Sequence, residues 1–240
     1  MRYGGFSRIW NSSYGTYLRR NAHVRQEGGG TDNLEAEIDT MLWIVITSPS
    51  FMDGEVSFLR RLLAHGVDFV HLRKPGAAAS DCARLLDGLT AEERVHIVIH
   101  DFFELAGPYC LHGIHLNSRR SSVPEGYTGH VSRSCHSLEE VKLWKPSCDY
   151  VFLSPIFDSV SKQGYRSAFS PEALGRACSD GIIDSKVIAL GGVTPDRIRE
   201  LRSSGFGGAA MLGHVTGLAC LSEAEQIRRL EEIRAALVQG

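Results

Sequence analysis

The sequence predicts an α/β protein folded as one compact (β/α)8 TIM barrel, and three observations predict it. From Met41 onward, short β-branched runs alternate with segments of helical period, the pattern of βα units wound around a parallel sheet. These runs number eight in about 200 residues, the lower limit for such a barrel. The alternative, an open doubly wound sheet, would carry Gly-x-Gly-x-x-Gly after its first strand; Pro49-Ser50-Phe51-Met52 stands there instead.

Composition narrows the function classes. The chain has 240 residues, 43% hydrophobic and 22% charged, which suits a globular domain and excludes a collagen-like or wholly disordered chain. With 26 Lys and Arg against 28 Asp and Glu, the formal net charge is -2, so there is no protein-wide basic field for nucleic acid, while local anion sites stay open. The longest apolar runs, such as Trp43 to Ile46 and Tyr150 to Leu153, fall far short of the roughly 20 residues that cross a bilayer. Cys82, Cys110, Cys135, Cys148, Cys178 and Cys220 form no Cys-x-x-Cys pair and follow no secretory leader, the usage of free thiols in a reducing cytosol, so a cytoplasmic location is expected.

The folded unit is expected to span residues 41–240. Residues 1–40 hold Gly28-Gly29-Gly30, scattered arginines and no apolar period to bury, so a disordered, dispensable extension is expected there. Arg2, Arg8, Arg19, Arg20 and Arg25 all precede the first acid, Glu27, a superficial match to an Arg-rich transit peptide. The extension reading is preferred because a strand-like run starts directly after Met41.

The elements follow in order. A first strand over Trp43–Thr47 leads to a helix over Glu55–Ala64, where Leu59, Leu62 and Leu63 share one face. The second strand, Asp68–Leu72, precedes a helix over Ser80–Leu89. The third, Val95–His100, and the fourth, Gly113–Leu116, are followed by stretches with room for a turn of helix or a loop. After the fifth, His130–Ser132, Ser137 and Glu140 are spaced as a capping box opening a helix over Ser137–Leu143. The sixth, Asp149–Leu153, is joined by a polar loop to a helix over Ser170–Ala177. The seventh, Lys186–Leu190, ends at two glycines, and Thr194 then caps a helix over Pro195–Ser203 with Pro195 in its first position. The eighth is Ala209–Leu212, and a helix over Glu223–Leu237 closes the fold.

A barrel gathers its chemistry at the C-terminal ends of its strands. At the second, alternation puts His71 and Arg73 on one side, pointing inward, and Lys74 on the other. Arg73 there needs an anion, supplied by a ligand or by a buried carboxylate. The third strand ends at His100-Asp101, and Asp101 is placed to hold Mg²⁺, to pair with Arg73 or to cap the next turn. Ser134 and His136 follow the fifth strand, and a lone His at either rim serves as a wall residue or as a base. The loop Ser154 to Gly164 carries Ser159, Ser161 and Lys162, a set that either folds over a phosphorylated ligand or is merely solvated. Gly191 and Gly192 after the seventh strand, with Gly213 and His214 after the eighth, leave backbone N–H groups open where barrels frequently bind phosphate, and the helix dipole after Thr194 adds to them.

Taken in order, His71-Leu72-Arg73-Lys74-Pro75, His100-Asp101, Gly113-Ile114-His115-Leu116-Asn117-Ser118-Arg119-Arg120, Ser134-Cys135-His136, Ser154-Pro155-Ile156-Phe157 with Ser159-Val160-Ser161-Lys162, and Gly191-Gly192-Val193 resemble the stations of the thiamine-phosphate synthase family, which shares its fold with the TenI thiazole tautomerase branch. The resemblance covers residues 42 to 237. It implies a transferase that joins an aminopyrimidine, carried as its methyl diphosphate, to a thiazole phosphate, releasing pyrophosphate by way of a pyrimidine methyl carbocation. It further implies that Arg73, Asp101 with Mg²⁺, Ser134 and Lys162 act at the diphosphate, and that Ser159, Ser161, Gly192 and the Gly213 rim hold the thiazole phosphate. His71, Lys74, His100, Arg120, His136, Gly191 and His214 complete the expected substrate wall.

Departures from the family pattern mark where its chemistry is altered. The family's strand-two Lys falls on Pro75 and its strand-four metal-binding Asp on Arg120, so a mouth that gains Arg119 and Arg120 in place of one Mg²⁺ ligand is expected to repel Mg²⁺ and to be able to bind diphosphate itself. The tautomerase branch's catalytic His falls on Pro155. The alternatives to a synthase are therefore a TenI-like isomerase of a phosphorylated azole and a non-catalytic, regulatory binder of thiamine intermediates. Partners expected on either reading are phosphorylated small molecules, with neither nucleic acid nor membrane, in a chain that could form a homo-oligomer.

Overall fold

Eight parallel strands close into a barrel in chain order, with β1 paired to both β2 and β8. The structure is a computed structural model and describes residues 40–158 and 169–238. The expectations for residues 1–39 and for Ser159, Ser161 and Lys162 lie outside the described residues. The strands are β1 Leu42–Ile46, β2 Phe69–Leu72, β3 Ile97–Ile99, β4 Gly113–Leu116, β5 His130–Cys135, β6 Tyr150–Leu153, β7 Val187–Leu190 and β8 Gly208–Met211. The described helices are α1 Glu55–Ala64, α2 Ala79–Asp87, α3 Ala91–Arg94, α4 Leu138–Trp144, α5 Pro171–Ser179, α6 Ile198–Ser203, α7 Gly213–Thr216 and α8 Glu223–Val238.

Alternation along each strand sorts side chains between two buried layers. Trp43, Val45, Val70 and Leu72 join Phe58, Leu59 and Leu62 of α1 in the layer between barrel and helices. The other parity faces the lumen. His71 on β2 places its Nε2 2.6 Å from the Tyr150 hydroxyl on β6, and these strands are not neighbours in the sheet, so the contact crosses the barrel. Phe69, His71, His115, Tyr150 and Phe152 meet ring to ring there.

Most boundaries fall within a residue or two of the expected ones, and three differences have local causes. Strand β5 runs on to Cys135 because its rim stays in register with β6, Ser134 opposite Phe152 and Cys135 opposite Leu153. The segment after Thr194 is a 3-10 turn, Pro195–Arg197, followed by the six-residue α6, which shortens the dipole expected at that rim. Helix α3, not expected from periodicity, is opened by Thr90, whose hydroxyl accepts from the Glu93 N–H while the Glu93 carboxylate accepts from the Thr90 N–H. Among the described residues no helix is long and apolar enough to cross a membrane.

Candidate active site

A cavity of about 680 Å³ opens at the C-terminal ends of the strands. Ile46, Phe152, Leu190 and Leu212 give it apolar walls, and Arg73, His100 and Ser134 project polar groups between them. All of these carry the lumen-facing parity, so the alternation that fills the barrel also furnishes the site.

Arg73 is held by its backbone and left open at its guanidinium. The Thr47 hydroxyl, at the end of β1, accepts from the Arg73 N–H at 3.0 Å and donates to the Arg73 carbonyl at 3.2 Å, which fixes where the residue leaves β2. The guanidinium, partly buried in the cavity wall, makes no ion pair with any described residue. Burial lowers its pKa, the Arg119 charge adds to that, and Asp101 opposes it. A cation in this condition is stabilised by an incoming anion.

Lys74, expected at the substrate wall, lies outside the cavity. It has the opposite parity, and its ammonium is 2.6 Å from the Glu55 carboxylate of α1, with the Ser48 and Ser50 carbonyls at 3.0 and 2.9 Å. Both side chains are almost fully buried, at 1% and 4% exposure. Lys74 thus ties the loop after β1 to the end of β2.

The rim of β4 is shaped by Asn117. Its amide donates to the His100 carbonyl at 3.0 Å, and its Oδ1 accepts from the Arg119 and Arg120 N–H groups at 2.9 and 3.2 Å. This turn brings Arg119 Nη2 to 3.2 Å from the Asp101 carboxylate and into the cavity wall, while Arg120 is exposed and does not line the cavity. Asp101 sits beside the cavity, paired to Arg119 rather than to Arg73. The Mg²⁺ that the resemblance implies does not fit this donor set. Its expected carboxylate is held by a guanidinium, Arg73 stands close by, and among the described residues the one cluster of three possible metal ligands is His71, His100 and His115.

The fifth and sixth strands supply hydroxyls and a second His. Ser134 Oγ lies 2.8 Å from His115 Nε2, below the cavity. His136, exposed at the rim, has its Nδ1 3.1 Å from the Ser154 carbonyl, and its N–H donates to Glu140 Oε2 at 2.6 Å. Ser137 caps α4 as expected by accepting from the Glu140 N–H, but the Glu140 carboxylate reaches back one residue further than a capping box, to His136. Arg133 stacks on Trp144, 3.9 Å from the ring, and both line the cavity with Glu140.

On the opposite rim Gly191, Gly192, Gly213 and His214 all line the cavity. The two glycines after β7 have φ of 95° and 64°. A Cβ on Gly192 would lie 2.5 Å from the Asp158 carbonyl oxygen, so the position is closed to side chains by the β6 loop packed against it, as well as by its backbone conformation.

The cavity therefore collects Arg73, His100, Ser134, His136, Gly191, Gly192, Gly213 and His214 from the expected set, with His71 buried behind His100. Arg119, expected with Arg120 at the barrel mouth, lines it too, and Asn117, Arg133, Glu140 and Trp144 join them without having been assigned from sequence. An Asn directly after a strand is the signal of an Asx turn and could have pointed to Asn117. Arg133 gave no such signal, since its parity on β5 points away from the lumen.

The fold and site define a closed parallel barrel whose mouth holds a cavity lined by arginines, apolar side chains and a glycine rim. The chain belongs to the family described as thiamine monophosphate synthase, whose profile matches residues 43–215. A crystal structure of thiamine phosphate pyrophosphorylase from Bacteroides thetaiotaomicron is 40% identical, covers 82% of this chain and 97% of its own, and superposes with a TM-score of 0.75. Among curated proteins, the thiamine-phosphate synthase of Syntrophomonas wolfei is 24% identical over 200 residues, 78% of this chain and 95% of that protein. That of Salinibacter ruber is 28% identical over 141 residues, 55% of this chain and 60% of that protein's length.

Proposed function

We propose that this chain is a thiamine-phosphate synthase type transferase that neutralises its leaving pyrophosphate with arginines rather than with Mg²⁺. The observation that carries the reading is Arg73, whose backbone is fixed by Thr47 and whose guanidinium stands in the cavity wall without a carboxylate partner among the described residues. As the C–O bond to the diphosphate breaks, negative charge grows on the departing oxygen, and Arg73 and Arg119 stabilise it. Ile46, Phe152 and Leu190 keep water from the methyl cation until the thiazole nitrogen attacks it. That bond forms without moving a proton, so His100 and Ser134 act by hydrogen bonding and no side chain has to titrate. The thiazole phosphate occupies the Gly191, Gly192 and Gly213 rim. Ser159, Ser161 and Lys162 are assigned to closing over both phosphates on the strength of the resemblance alone.

A second reading, a non-catalytic binder of the same intermediates, is favoured by one observation: Asp101 is committed to Arg119. Purified protein mixed with both phosphorylated substrates, with Mg²⁺ and again with a chelator, separates the two. Coupled product and pyrophosphate in equal amounts are expected, in the chelator as well. Binding of both ligands without turnover in either condition contradicts the transferase and supports the binder.

A further inference from the structure

Three imidazoles from neighbouring strands converge beneath the cavity. His71 belongs to β2, His100 follows β3 and His115 belongs to β4, and one ring nitrogen from each lies within 4.8 Å of the other two. Their exposures are 0%, 4% and 0%. A barrel interior is ordinarily filled by branched aliphatic side chains, which give up no hydrogen bonds to water on burial. Three imidazoles in their place ask for a purpose that packing does not supply.

We propose that His71, His100 and His115 form a binding site for a d-block dication of the Zn²⁺ or Co²⁺ type, with one coordination position open toward the cavity. Nothing in this depends on the transferase reading. Three neutral nitrogen donors are the ligand set that selects Zn²⁺, Co²⁺ or Ni²⁺ over Mg²⁺, and three protein ligands with an open position are the pattern of reactive rather than structural sites.

The supporting shell orients the ligands as a metal site needs. Ser132 Oγ lies 3.4 Å from the Ile114 carbonyl, which takes its proton, so the oxygen accepts from His115 Nδ1–H at 2.8 Å. This leaves His115 Nε2 with its lone pair toward Ser134, at the cavity. The Tyr150 hydroxyl lies 2.6 Å from His71 Nε2, and in the tautomer that carries its proton on Nε2 the His71 Nδ1 lone pair faces His100. Outer hydrogen bonds of this kind fix the tautomer and orientation of metal-bound histidines. In that tautomer, without metal, His100 Nε2–H donates to His71 Nδ1 at 2.9 Å.

Metal entry asks His115 Nε2 to leave the Ser134 hydroxyl and the rings to reorient. Metal–nitrogen bonds of about 2.0–2.1 Å at tetrahedral angles put ligand nitrogens about 3.3 Å apart, so His71 and His100 separate by about 0.4 Å. His100 moves its ring proton to Nδ1, and no net proton is released. The His100 and His115 rings, stacked with centroids 4.2 Å apart, tilt to converge, which is a side-chain rotation. Burial already holds all three imidazoles neutral, the state that binds metal.

The test strips the full-length protein with a chelator and titrates it with Co²⁺, followed by calorimetry and visible absorption. One Co²⁺ per chain is expected, with the d–d bands of a nitrogen-ligated four- or five-coordinate ion. His71→Gln and His115→Gln should each abolish the bands, and Tyr150→Phe, which keeps all three ligands, should weaken binding 10- to 100-fold. Failure of the wild-type protein to bind Co²⁺ stoichiometrically overturns the proposal, as do bands that persist in His115→Gln. Should a variant not fold, proton NMR of the wild-type Co²⁺ protein decides: hyperfine-shifted ring N–H signals from three imidazoles support the site, and fewer than three overturn it.

Discussion

Arg119 reaches from the rim of β4 to the Asp101 carboxylate after the neighbouring β3, Nη2 to Oδ2 3.2 Å, and so engages the carboxylate nearest Arg73. The pairing follows from the backbone. Asn117 accepts from the N–H groups of Arg119 and Arg120 and donates to the His100 carbonyl, which folds the β4 rim over the end of β3. Arg119 also lines the cavity together with Arg73, which gives that wall positive charge.

If arginines replace the metal, pyrophosphate affinity should be nearly the same in chelator as in millimolar Mg²⁺. Asp101→Asn should then raise that affinity, because it removes the negative charge that Arg119 now faces. Its effect on stability should be small, about 0–1 kcal/mol, since Arg119 is 45% exposed. Calorimetric titration with pyrophosphate checks both, and affinity that vanishes in chelator contradicts the prediction.

Lys74 and Glu55 form the buried ion pair that anchors the loop after β1. Lys74→Met leaves a buried carboxylate without its cation and should cost about 3–5 kcal/mol, whereas the double substitution Lys74→Met with Glu55→Leu should recover most of it. Urea denaturation of the three proteins measures this. A neutral single variant would show that the loop is held in some other way.

Stability should fall steeply with acid. Burial lowers the pKa of His71 and His100 well below the ordinary value, and that of His115 and His130 to about 3. Unfolded, each binds a proton near pH 6.5; folded, each stays neutral until far lower pH. The unfolded state therefore binds more protons below pH 6.5, and each His removes about 1.4 kcal/mol of stability per pH unit between its unfolded and folded pKa. Above pH 7 this contribution is fully present. Urea midpoints at pH 7.5, 6 and 5 check it, and His115→Gln should flatten the dependence; a profile already flat in the wild type from pH 7 to 5 contradicts it.

The barrel was legible because its signals are local: eight runs, their spacing, and caps such as Ser137, whose hydroxyl accepts from the residue three positions on. Parity also placed Arg73 inward and Lys74 outward before any geometry was known. What sequence could not supply was pairing across strands. Asp101 had Arg73, a metal or a helix cap as possible partners, and only the fold of the Asn117 turn chose Arg119. The glycines after β7 read as room for a phosphate, whereas Gly192 is also required by the Asp158 carbonyl packed against it. Substituting it with Val would disturb that packing whether or not a phosphate binds there. The convergence of His71, His100 and His115 was equally hidden, since residues 29 and 15 positions apart meet only when three strands close side by side.

Arg73→Met tests the central claim most directly. Arg73 has no ion-pair partner among the described residues, and burial opposes its charge, so the variant should melt at the wild-type temperature or higher while turnover falls by about two to three orders of magnitude, the loss expected when one preorganised charge-stabilising donor is removed. A marked fall in melting temperature, with near-normal turnover in the protein that remains folded, would show Arg73 to be a structural cation and contradict the claim.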